Sequence, residues 1–137
     1  MAGQLSAEEV ARVAEFRASL RRFLRRSERN ARGAGLTPQR YLLLLMIKGA
    51  ADHSEQSTVT ELADRLQLAQ STVTELVRRA EETGLVERER SNVDGRIAHL
   101  RLTPEGERRL ERSFTSNENE RRALAEAFQH LEGSLTT

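Results

Sequence analysis

Gln70, Ser71, Thr74, Glu75, Arg78 and Arg79 carry amide, hydroxyl, carboxylate and guanidinium groups at spacings that fall on one side of a helix. Val73, Leu76, Val77 and Ala80 recur at i, i+3, i+4 and i+7 on the other side, so a small core can hold that helix from behind. Polar groups presented in this way are the kind that hydrogen-bond base edges in the major groove of a duplex. Any amphipathic surface helix also shows a polar face, and the neighbouring sequence has to decide. Beyond the helix, Ser91-Asn92-Val93-Asp94-Gly95-Arg96 reads as a hairpin tip, with Asp94-Gly95 as its turn signal. An arginine beside such a tip can enter a narrow, electronegative minor groove, and Asp94 is close enough to steady Arg96 there. Reactive chemistry finds no comparable support. His53, His99 and His130 lack metal-ligand spacing, cysteine is absent, and no serine sits beside an obvious base. No catalytic residue, metal or cofactor is expected, and the chain does not read as an enzyme.

The elements around these residues read as a short winged unit. Thr58 is an N-cap for a helix from Val59 to Leu66, with Val59, Leu62, Ala63 and Leu66 on one face. Two turns of helix are scarcely stable alone, so this helix needs a partner. Gln67 to Ala69 supplies a three-residue turn, and Gly84 closes the second helix. Leu85 and Val86 start a strand, and from Glu87 to Thr103 the period changes to two: Ile97, His99 and Arg101 face one way, Ala98, Leu100 and Leu102 the other. Thr37-Pro38 and Thr103-Pro104 are two further helix starts. Leu5 to about Ala31 reads as a long helix opened by Ser6 and Glu9, with an apolar stripe through Val10, Val13, Phe16, Leu20, Phe23 and Leu24. Pro104 to Leu131 is helical with a break near Ser116-Asn117. These terminal stripes have little to cover within one small subunit, so a twofold dimer is expected; packing of the two end helices on each other in a monomer is the other arrangement.

The run Leu62 to Gly106, LADRLQLAQSTVTELVRRAEETGLVERERSNVDGRIAHLRLTPEG, closely resembles the MarR family of bacterial transcriptional regulators. The STVT helix start, the GLVER strand entry, the DGR tip and LRLTPEG carry the likeness, which reaches back to Leu36-Thr37-Pro38-Gln39-Arg40-Tyr41 and covers essentially the whole chain. The resemblance implies a mainly α fold with a small β-wing. It implies one domain over 1–137, in which dimerisation helices at 5–35 and 104–137 flank a winged helix-turn-helix at 36–103. Residue by residue, it implies that Gln70, Ser71, Thr72, Thr74 and Arg78 lie at or near the major groove, that Arg88 and Arg90 reach phosphate, and that Arg96 enters the minor groove. Two departures stand out. Ala69 removes the usual side-chain cap of the reading helix, leaving that task to Gln70 or Ser71. Glu75 stands where an arginine is frequent; phosphate repels it, but it can accept from cytosine N4. The implied function is a ligand-responsive repressor that binds double-stranded DNA as a homodimer on a pseudo-palindromic operator. The implied effector is a small anionic aromatic, placed by position among Phe16, Arg17, Leu20, Tyr41, Leu44 and Leu45.

Length and composition set limits. The 137 residues, 37% of them hydrophobic, suit one modest domain. No apolar run is long enough to span a bilayer and no charged-then-apolar signal opens the chain, so a soluble cytoplasmic protein without a membrane partner is expected. Without cysteine, thiol sensing of oxidants is excluded. The net charge is only +1, yet it is unevenly spread: Arg12 to Arg40 holds nine arginines against two glutamates, +7, whereas Ser57 to Thr103 holds seven arginines against eight acids, −1. This near-neutral reading unit keeps open a second reading, a winged-helix dimer that docks protein and no longer binds DNA.

Overall fold

The computed structural model describes residues 4–90 and 97–133, so Asp94 and Arg96 at the hairpin tip lie outside the described residues, as does the side chain of Arg90. Eight elements follow in order: α1 (Ala7–Gly33), α2 (Pro38–Lys48), α3 (Val59–Leu66), α4 (Gln70–Glu82), β1 (Val86–Arg90), β2 (Ala98–Leu102), α5 (Pro104–Ser116) and α6 (Glu118–Gly133). They form two compact units, Ala31–Ser113 and Met1–Asn30 with Phe114–Thr137.

The unit Ala31–Ser113 is built around α2. Thr37 caps that helix, its Oγ1 accepting from the Arg40 N–H at 3.2 Å, and Pro38 occupies the first turn, where its missing N–H costs nothing. The apolar run that follows buries Tyr41, Leu43, Leu44 and Ile47, and α2 packs on α3, α4 and β2. Leu62 and Ala63 from α3, Val73, Val77 and Ala80 from α4, and Val86, Leu100 and Leu102 from the strands complete this core. Ala31 and Leu110 join it, which is why the unit extends beyond 36–103 into the end of α1 and most of α5. The two strands pair antiparallel from Val86↔Leu102 to Arg90↔Ala98. Ser57 adds a short third edge, exchanging backbone hydrogen bonds with Leu100 at 3.1 and 2.8 Å. The alternation expected from the sequence holds on β2: Leu100 and Leu102 are buried while Arg101 is exposed.

The junctions explain several sequence signals. Gly84 sits at φ 75°, a left-handed conformation in which a Cβ is strained, and lets the N–H of Leu85 return to the Ala80 carbonyl at 2.9 Å. The Leu85 carbonyl then accepts from the Thr103 N–H at 3.0 Å, and Gly106 lies so near that a Cβ there would stand 2.2 Å from the same oxygen. The Thr-Pro-Glu-Gly start of α5 is therefore a close-packing device as well as a cap.

In the other unit, α1 starts two residues later than Leu5, because Ser6 is its cap and accepts from the Glu9 N–H at 3.3 Å. The break between α5 and α6 falls at Asn117, as expected, and has a cause. Asn117 is buried, accepts from Asn30 Nδ2 at 2.6 Å and reaches Ser27 Oγ at 3.4 Å. Helices α1 and α6 touch through Phe16 and Phe128, whose rings meet edge to face at 6.1 Å. Even so, Val10, Val13, Leu24 and Phe128 stay about half exposed.

Candidate nucleic-acid interface

The site is assembled on α3 and α4. Thr58 and Glu61 form a reciprocal capping box at the start of α3: Glu61 N–H donates to Thr58 Oγ1 at 3.2 Å and Thr58 N–H donates to Glu61 Oε1 at 3.0 Å. The helix ends on Gln67, which adopts a left-handed conformation without being glycine, at φ 55° and ψ 47°. Its side chain donates to the Asp64 carbonyl at 2.6 Å, and the Leu68 N–H returns to the Ala63 carbonyl at 3.1 Å. Leu68 packs against the core and fixes the turn that aims α4.

Val73, Val77 and Ala80 are fully buried, so the rotation of α4 about its axis is set by packing. Gln70, Ser71, Thr72, Thr74, Arg78 and Arg79 are exposed, and Glu75 is half-buried. The sequence assigns the cap of α4 to Gln70 or Ser71. Neither provides it: Ala69 stands at the N-cap with no side-chain hydrogen bond, and Gln70 Nε2 instead reaches Thr60 Oγ1 at 3.3 Å, tying α4 to α3. The first N–H groups of α4 therefore receive no cap from the Ala69 side chain.

Charge on this face is closely paired. Arg78 Nε donates to Glu75 Oε2 at 2.9 Å, its Nη2 donates to Glu75 Oε1, its Nη1 donates to Glu82 Oε1, and Arg79 Nε donates to Glu75 Oε1 at 3.1 Å. The hydrogen bonds from Arg78, and then those from Arg79, hold the Glu75 carboxyl down at about 2. Glu75 in turn pushes the Arg78 guanidinium further up.

On the wing, Arg88 lies on the same face of β1 as buried Val86, and its Nε donates to both carboxylate oxygens of Glu81 at 3.0 Å. Arg101, on the opposite face, pairs with Glu87 at 2.8 Å and Glu89 at 2.9 Å. Arg90 ends β1, while Asp94 and Arg96 lie outside the described residues. One residue was missed by sequence reasoning. Gln39, in the first turn of α2, lines a shallow groove with Ser71, Thr72, Glu75, Leu76 and Arg79. Nothing in the spacing of Gln39 marks it; its place follows from the packing of α2 on α4.

The residues given to an effector belong to two units. Tyr41 and Leu44 are buried in the core of Ala31–Ser113, with Leu45 packed against it. Phe16, Arg17 and Leu20 belong to the other unit, where Phe16 lines a groove between α1 and α6 with Arg12, Glu15 and His130. Among the described residues no group of three His, Asp or Glu side chains is placed to hold a metal ion, and no helix is long and apolar enough to cross a membrane.

Residues 34–97 match the model of the MarR family. The HTH-type transcriptional regulator YsmB of Bacillus subtilis (strain 168) is 32% identical over 93 residues, 68% of this chain and 61% of its own. The HTH-type transcriptional repressor YetL of the same organism is 30% identical over 103 residues, 75% of this chain and 60% of its own. The chain thus spans about three-fifths of the length of these curated relatives. In structure, a mutant MarR from E. coli crystallised with operator DNA is similar over 98% of this chain and 97% of its own, with a TM-score of 0.69 and 21% identity, a likeness of fold. Residues 34–97, and the winged helix-turn-helix they help to build, are thus similar to the MarR family of transcription regulators.

Proposed function

We propose that the chain is a sequence-specific, DNA-binding transcriptional regulator that acts as a homodimer on a pseudo-palindromic operator. The observation that carries this reading is the face of α4: three fully buried residues fix the helix while hydroxyl, amide and guanidinium groups stand exposed along about 20 Å of it. Gln70, Ser71, Thr72, Thr74, Glu75 and Arg78 meet the major groove in this proposal, with Gln39 and Arg79 beside them. Arg88 and Arg90 approach phosphate, and Asp94 and Arg96 take the minor groove. The operator complex of the E. coli relative supports the same use of the fold here, and the repressor YetL supports repression as the outcome. A small anionic aromatic effector and a cytoplasmic setting complete the proposal. The wing arginines bear on its strength: Arg88 is engaged by Glu81, so phosphate contact there requires exchange of one carboxylate for another anion.

Titrating the purified chain with genomic fragments at two salt concentrations tests this. Salt-dependent binding with a preferred palindrome is expected. Absence of binding at low salt would instead favour the dimer that docks protein, a reading to which the near-complete pairing of charges on α4 lends itself.

A further inference from the structure

Resting on the DNA-binding reading above, the geometry points to Glu75 as a positioning residue, one that holds the Arg78 and Arg79 guanidinium groups as a fixed pair and does not read a base itself. Both oxygens of its carboxylate are taken. Arg78 grips it side-on through Nε and Nη2, the two-pronged arrangement that fixes the plane of a guanidinium, and Arg79 Nε shares Oε1 at 3.1 Å. A cytosine amino group would have to displace an arginine to reach Glu75. Arg78 is held again from the next turn by Glu82 through Nη1. Of its five N–H donors, three are thereby engaged, and one remains on each terminal nitrogen. Two such donors are what O6 and N7 of a guanine accept. The ionised state of Glu75, maintained by these same arginines, keeps the clamp closed through the ordinary pH range.

The clamp also sets what Arg78 and Arg79 cannot do. Helix α4 carries two arginines against three glutamates, a net charge of −1, so it offers phosphate little general attraction. Arginines tied to Glu75 and Glu82 are not free to swing onto the backbone of an arbitrary duplex. Fixing them lowers affinity for any sequence and raises the difference between sequences, which is what discrimination requires.

The two effects have opposite signs, and this separates a clamp from a merely structural residue. Selection from a randomised duplex library, followed by titration of the best site and of a scrambled duplex over a salt series, would be run with the wild-type chain, E75Q, E75A and R78A. Removing the carboxylate should lower the ratio of specific to scrambled affinity about tenfold and blur the same base positions that R78A blurs. Affinity for the scrambled duplex should rise, with a salt dependence steeper by about one released counterion. The thermal unfolding midpoint should fall by no more than about a few degrees, since these ion pairs are largely solvent-screened. If E75Q alters one base position that R78A leaves intact, Glu75 reads a base and the clamp is wrong. An unchanged selection profile in both Glu75 variants overturns the clamp alone. A wild-type chain that selects no sequence at all overturns the DNA-binding reading and the clamp with it.

Discussion

Arg78 is where the candidate interface concentrates its chemistry. Its guanidinium is exposed and planar, and among the described residues its contacts lie on α4, so shortening it to alanine leaves the core in place. R78A should weaken binding to the preferred operator by about 1 to 3 kcal/mol with an unaltered far-ultraviolet dichroism spectrum, measured by titration at fixed salt. The Glu75 carboxyl reports the same contact from the other side. Its ordinary value of 4.5 falls to about 2 through hydrogen bonds from Arg78 first and Arg79 second. A lowered folded value means a contribution to stability that is present above the unfolded value and is lost as pH falls toward 2. Carbon-detected titration of the side chain should therefore show Glu75 ionised well below pH 4.5, and R78A should bring its midpoint back toward 4.5. A midpoint at the ordinary value in the wild-type chain would mean the pairing does not persist in solution. The types and spacing of the residues on α4 were legible in the sequence, since burial of Val73, Val77 and Ala80 dictates which side chains face outward. The use of Glu75 was not: spacing puts an acid three and four residues before two arginines, but it does not say whether the carboxylate faces them or a partner.

At the scale of elements, local signals located helices well and long-range contacts poorly. Thr37-Pro38, Thr58 before an apolar periodic run, and Gly84 each act within a few residues of themselves, and each marks an end where the sequence places it. The reciprocal box of Thr58 and Glu61 goes beyond the N-cap read from the sequence, although Thr-x-x-Glu is its pattern. Gln67 was not legible, because nothing in its type announces a left-handed residue; neither was the edge that Ser57 adds to β2, which depends on a partner more than forty positions away. Gly106 shows how a motif residue acquires its meaning only in contact. A Cβ at this place would stand 2.2 Å from the Leu85 carbonyl oxygen, and backbone atoms on both sides cannot easily give way. G106A should cost about 1 to 3 kcal/mol in denaturant unfolding, against a few tenths for a typical exposed site. Lys48 makes a softer tie, from the end of α2 to Glu107 of α5 and to Glu55 of the α2–α3 connection. Hydrogen bonds to Glu107 and then Glu55 raise its folded value above the ordinary 10.5. This contribution is therefore complete below the unfolded value and disappears as pH rises through the folded one. K48M should be less stable than the wild-type chain by at most about 1 kcal/mol near neutral pH, because the pairs are partly exposed, and the gap should close above pH 10.5.

For the whole molecule the question is what covers the end helices. The sequence left two arrangements open, and the unit of α1 and α6 bears on both. The helices do pack on each other, through Phe16 and Phe128, yet Val10 at 48%, Val13 at 50%, Leu24 at 48% and Phe128 at 52% exposure remain on view. Self-packing does not finish the burial, and side chains of this size left half in water favour a second copy. In the proposed regulator, two copies also give α4 a purpose that one lacks. Under the proposed function a single α4 of thirteen residues reads a half-site, and linking two makes the second contact intramolecular, so that the affinity for a palindrome would exceed that for its half by far more than twofold. Placing charge in the exposed stripe should break this without touching α4. The double substitution V10E and V13E is expected to halve the mass measured by light scattering, preserve the helical dichroism, leave half-site affinity within about twofold, and lower affinity for the full palindrome by at least tenfold. If the wild-type chain already has the mass of one subunit, or the charged variant retains the mass of two, the stripe is not the dimer seam; equal losses on half and full sites would trace the defect to the winged unit instead.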